Sequence, residues 1–88
     1  MSLDRVAVIA PDLQVGADSV VIGQWRFETG DFVIAGDALV ELVVPGLTVS
    51  IPSPVDGVLA EISRPASLAV QPGDLLGWVQ PAEAPPDE

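Results

Sequence analysis

Gly36-Asp37-Ala38-Leu39-Val40-Glu41-Leu42 returns later in the chain as Gly73-Asp74-Leu75-Leu76-Gly77-Trp78-Val79. Each copy opens on a Gly-Asp pair, a turn former, and runs on into residues that favour extended structure. Gly23 ahead of the first copy and Gly57 ahead of the second pair as counterparts in this reading. Neither half can bury an apolar face by itself. The two are therefore expected to pack as two small antiparallel sheets about an approximate twofold axis.

Around the repeat, strand signals dominate. Val and Ile are abundant, apolar runs are short, and Gly, Pro, Asp and Ser punctuate them closely. Strands are predicted at about 5–10, 19–27, 38–44, 47–51, 57–62, 68–70 and 75–80. Alternation places Val21, Trp25 and Phe27 on one face of the second strand, opposite Gln24 and Arg26. In the same way Leu47, Val49 and Ile51 oppose Thr48 and Ser50, and Val58, Ala60 and Ile62 oppose Glu61. Trp25 and Trp78 read as packing residues rather than a stacking platform. Between two apolar strands, Val44-Pro45-Gly46-Leu47 is the signature of a type II turn: Pro presets the negative φ of the second position and Gly accepts the positive φ of the third. This should be a tight hairpin tip, with Val44, Pro45 and Leu47 as a small apolar contact patch. Pro52-Ser53-Pro54 is poor in ladder donors and should leave the sheet at a corner.

The chain of 88 residues is one module, expected to span 1–80, with a Pro, Ala and acid-rich stretch at 81–88 that reads as a disordered tail or linker stub. Thirteen acidic residues stand against Arg5, Arg26 and Arg64, for a formal charge of −10. Nucleic acid and anionic membranes are excluded as partners, and basic or neutral protein surfaces are favoured. Cys, His and Lys are all absent. That removes the usual transition-metal ligands and the standard nucleophile and general-base arrangements, so no catalytic residue and no metal site is assigned. Asp31, Asp37 and Asp74 each follow a Gly and read as turn formers, not as a calcium loop. Val6–Ala10 is too short and too closely flanked by charge for a secretory signal, and no run approaches a membrane span. A soluble, cytoplasmic protein is expected.

In order along the chain come Pro11-Asp12-Leu13, then Trp25-x-Phe27-x-x-Gly30-Asp31-x-Val33-x-x-Gly36-Asp37-x-Leu39, Glu41, and Val49-Ser50-Ile51-Pro52-Ser53-Pro54-Val55-Asp56-Gly57-Val58. From about Val6 to Val79 this pattern resembles the biotinyl/lipoyl-attachment family, and within it the lipoyl domain of dihydrolipoyl acyltransferases of 2-oxo acid dehydrogenase complexes. The resemblance implies an all-β flattened barrel or sandwich of two antiparallel sheets with pseudo-twofold symmetry. It also implies a cofactor, lipoate or biotin, joined by an amide to a lysine at a hairpin tip, in Asp-Lys-Ala or Met-Lys-Met.

Here Pro45-Gly46-Leu47 falls where Asp-Lys-Ala belongs, with Gly46 at the acceptor position, and the sequence contains no lysine at all. Arg is a poor acyl acceptor because its guanidinium stays protonated, and Thr48, the nearest hydroxyl, has no evident base. No cofactor is therefore expected on this chain. The reading is a non-catalytic lipoyl-like module kept for protein docking or structure. The alternative is a component of a 2-oxo acid dehydrogenase or biotin-dependent carboxylase system in which the lysine has been replaced or is supplied by another subunit.

Overall fold

Short β-branched runs between turn formers can satisfy their backbone groups only by pairing with one another. In the computed structural model, which describes residues 5–13 and 20–82, they do so as seven strands. These are β1 (Val6–Ile9), β2 (Val21–Trp25), β3 (Phe32–Val33), β4 (Ala38–Val44), β5 (Leu47–Pro52), β6 (Gly57–Ile62) and β7 (Leu75–Pro81). Every pairing is antiparallel. One sheet has the order β1-β7-β6-β3 and the other β2-β4-β5. Val8, Val33, Leu59, Leu76 and Val79 from the first meet Ile22, Leu39, Leu42, Val44 and Ile51 from the second in one buried cluster. The domain is the expected two-sheet all-β sandwich, without a helix among the described residues.

The twofold relation extends to single hydrogen bonds. Gly36 and Gly73 set the offset, 73 − 36 = 37 positions. Phe32 pairs with Val58 and, on the other side, Ala69 with Val21. Gly30 N donates to Leu59 O at 2.8 Å, and Ser67 N to Ile22 O at 2.8 Å. Arg26 N donates to Leu39 O and Ser63 N to Leu76 O. Leu39 and Leu76 are the extra residues where β4 and β7 slip register against β5 and β1, and both are fully buried. Such a bulge bends a strand and lets one side chain more than the pleat allows reach the core.

Bulges also correct three expectations. The β2 register shifts between Ile22 and Gln24, so Ile22 is the core residue and Val21 is only half-buried, while Trp25 and Phe27 still reach the core. Beyond the matching shift between Leu59 and Glu61, Leu59 rather than Val58 or Ala60 is buried. The counterpart of Gly23 is Ala60 inside that second bulge, not Gly57. Gly57 has its own reason: a Cβ there would sit 2.2 Å from Gln80 O across the ladder. The segment 68–70 makes one isolated bridge instead of a strand, and the short β3, its counterpart, was not visible in the alternation. At the end of the chain β7 runs on to Pro81, and Ala82 N donates to Asp56 O. The rest of the predicted tail lies outside the described residues.

Candidate functional site

The β4–β5 ladder closes on the pair Val44 and Leu47, leaving Pro45 and Gly46 as the two-residue tip. Proline confines its own φ to about −65°, and Gly46 has φ of 77°, which together give the expected type II turn. No atom lies within 4 Å of where a Cβ of Gly46 would stand. Backbone conformation rather than crowding disfavours a side chain at this place.

Exposure divides the four tip residues. Pro45 and Gly46 are exposed and Leu47 is 59% exposed, but Val44 is 5% exposed and belongs to the core. The predicted patch of Val44, Pro45 and Leu47 is therefore corrected to Pro45 and Leu47. Val43 is 38% exposed, yet it pairs with Thr48 and points to the outer face, whereas Leu47 shares the inward face with Val49 and Ile51. Val43 and Leu47 do not form one surface. Val43 instead lies over Gly23, where a Cβ would stand 2.7 Å from its Cγ2.

The polar chemistry lies away from the tip. On the outer face of the three-stranded sheet, Glu41 accepts from Arg26 Nη1 at 2.8 Å and from Gln24 Nε2 at 3.2 Å. The sequence placed Gln24 and Arg26 outward but did not show Glu41 joining them. Asp31, Asp37 and Asp74 accept from the backbone N–H groups of Glu28, Ile34 and Gln71 at 2.8, 3.0 and 2.8 Å. In each case the N–H of the Asp donates back to the carbonyl of the same residue, so all three are turn clasps. Asp56 Oδ1 takes the Ala35 N–H at 2.8 Å, a long-range anchor that no local motif signalled. Trp25 Nε1 donates to Arg64 O at 2.7 Å, so the ring is tied to the scaffold. Among the described residues no three potential metal ligands come together, and no helix is long and apolar enough to cross a membrane.

Comparison with known proteins places this framework. The biotin/lipoyl family model, described as "Biotin-requiring enzyme", matches residues 6–79. The chain is similar to the dihydrolipoyllysine-residue succinyltransferase component of the 2-oxoglutarate dehydrogenase complex from several bacteria. It is 35% identical to that of Bartonella vinsonii subsp. berkhoffii over 74 residues, 84% of this chain and 18% of the relative. It is 30% identical to that of Bacillus subtilis over 69 residues, 78% of this chain and 16% of the relative. It is 27% identical to that of Haemophilus influenzae over 78 residues, 89% of this chain and 19% of the relative. The chain thus spans less than a fifth of the length of these relatives.

Lipoate or biotin held by a side-chain amide needs a lysine, and the sequence has none at the tip or elsewhere. The residues present do not fit a lysine-linked cofactor. With the two-sheet architecture, the internal twofold and a family match running from Val6 to Val79, the chain belongs to the biotin/lipoyl domain family.

Proposed function

We propose that this domain is a lipoyl-like module that carries neither lipoate nor biotin on a lysine and acts, without catalysis of its own, as a protein-docking or structural element in the cytoplasm. The observation that carries the reading is the tip. A compact Pro45-Gly46 turn stands where the family resemblance puts the acceptor, in a chain with no lysine. The surrounding chemistry supports it, since the ladder partner of Thr48 is Val43, neither acid nor base, and Asp31, Asp37 and Asp74 are committed to turns.

Incubation with lipoate ligase or biotin ligase, read by intact mass, tests this. The mass is expected to stay unchanged, and a covalent adduct on the chain defeats the reading. Gly46→Lys alone puts a long side chain on a positive φ, whereas Pro45→Asp with Gly46→Lys frees the turn to adopt a type I form with negative φ at both central positions. Lipoylation of the double variant beyond that of the single one is expected.

A second reading follows from the relatives, which are named as components of a 2-oxoglutarate dehydrogenase complex. In it the domain still serves a 2-oxo acid dehydrogenase or biotin-dependent carboxylase assembly while another subunit supplies the acyl or carboxyl carrier. Co-purification of such an enzyme with the domain from its own cells separates the two readings.

A further inference from the structure

We propose that the edge of β5, unpaired among the described residues, is the docking site, and that its partner is an extended, basic segment of another protein that adds a fourth full strand to the β2-β4-β5 sheet. This deepens the docking reading above and rests on it.

The hairpin fixes which backbone groups are available. In a two-residue hairpin the closing pair, Val44 and Leu47, is hydrogen-bonded, and bonded pairs then alternate along the ladder. Leu47 and Val49 therefore turn their N–H and C=O groups to β4, while Thr48 and Ser50 turn theirs away from it. Thr48 and Ser50 are both exposed, and neither makes a backbone bond to any segment outside the ladder among the described residues.

Other edges are guarded or minimal, and β5 is neither. Natural edge strands are protected by charge, proline, bulges or brevity. Among the described residues, β3 has two residues and the segment beside β2 makes one bridge. The edge strand β1 is four residues long; Val6 pairs with Val79 as Val49 pairs with Leu42, 79 − 42 = 37, so Arg5, which precedes β1 and is paired with Glu61 at 3.3 Å, is the twofold counterpart of Thr48. By contrast, β5 runs six residues, Leu-Thr-Val-Ser-Ile-Pro, without a charge and without a proline before Pro52. Its register slip against β4 falls only near the Pro52 end.

Charge selects the occupant. The chain carries −10, and its three arginines are each within 4 Å of a carboxylate, Glu61, Glu41 or Asp74. A second copy brings the same charge to the edge and is repelled, whereas a basic strand is attracted. The pleat sets the pattern of the partner: apolar residues extend the Leu47, Val49 and Ile51 row, and polar or basic ones lie beside Thr48 and Ser50, with Glu41 on the rung of Ser50.

The probe is a blocked peptide of alternating valine and threonine with two lysines at each end. Titrated into the ¹⁵N-labelled domain, it is expected to shift the amide signals of residues 47–51 and to slow exchange at Thr48 and Ser50. Ser50→Pro deletes an outward N–H while sparing the bonds to β4, and should weaken binding about tenfold or more with the fold intact by circular dichroism. A Thr48→Lys variant, which adds an edge charge instead, should weaken it as well. Shifts centred elsewhere, equal binding of the same peptide with glutamates for lysines, or dimerisation of the domain through β5 in place of peptide binding overturns the proposal. A ligase adduct defeats the non-carrier reading and leaves this titration unaffected, so the two failures are distinguishable.

Discussion

The half of the domain from Val21 to Val44 and the half from Val58 to Pro81 share corresponding backbone hydrogen bonds and register shifts but differ in most side chains, and the differences at the turns follow what each backbone group needs. In the turn 28–31, Gly30 holds φ of 100° and Asp31 accepts the N–H of Glu28. Its counterpart is Pro65-Ala66-Ser67-Leu68, where Ser67 holds φ of 78° and Leu68 replaces the Asp. Pro65 has no N–H, so a carboxylate at 68 has nothing to clasp. The other pair of turns, 34–37 and 71–74, keeps both Gly and Asp because Ile34 and Gln71 each present an N–H. Symmetry here is a property of the hydrogen-bond network. At the turns, sequence identity is retained where that network has one chemical solution, and in the core it recurs at the buried pairs Val33/Val70 and Leu39/Leu76.

The largest effect that can break the comparison lies in the core. Leu39 and Leu76 are both fully buried bulge residues. Leu39→Ala and Leu76→Ala should each lower stability by about 2 to 5 kcal/mol, because the cavity adds to the lost transfer energy. Urea unfolding of the two variants should give losses that agree within about 1 kcal/mol if the halves pack equivalently. A markedly smaller loss at one leucine shows that the twofold relation of the backbone does not extend to packing density.

How much of this was legible depends on the range of the interaction that decides it. The Gly-Asp pairs and Pro45-Gly46 declare themselves because a turn is settled within four residues. Alternation holds for Leu47, Val49 and Ile51, which share one face, because β5 has no slip of its own before Pro52. Strict alternation puts Val21 and Val58 inward, where the structure does not, because the bulges beside Ile22 and Leu59 arise from pairing with β4 and β7, more than fifteen residues away. Nothing local announces them. The turn at the tip is written in Pro45-Gly46, but the burial of Val44 depends on the opposite sheet and has no local signal either.

A middle-sized effect sharpens the account of the turns. Asp37→Ala and Asp74→Ala each strand a turn N–H and should cost about 1 kcal/mol in urea unfolding. Leu68→Asp restores the residue of the counterpart turn, yet should bring no gain, since Pro65 offers no donor. A stabilising Leu68→Asp contradicts the argument that the carboxylate is there for the N–H.

The smallest effect concerns the edges of β1 and β5. Arg5 stands where Thr48 stands under the twofold, and its ion pair with Glu61 joins side chains that are about half exposed, 50% and 52%. Exposed pairs of this kind contribute only a few tenths of a kcal/mol, less in high salt. Arg5→Thr should therefore barely change the unfolding midpoint, while making the entry to β1 resemble the uncharged edge of β5. If edge charge is what keeps β1 unoccupied, amide signals of residues 6–9, unmoved by the basic peptide in the parent domain, should shift with it in this variant. If they stay silent, the brevity of β1 rather than Arg5 closes that edge, and the six-residue length of β5 becomes the feature that sets it apart.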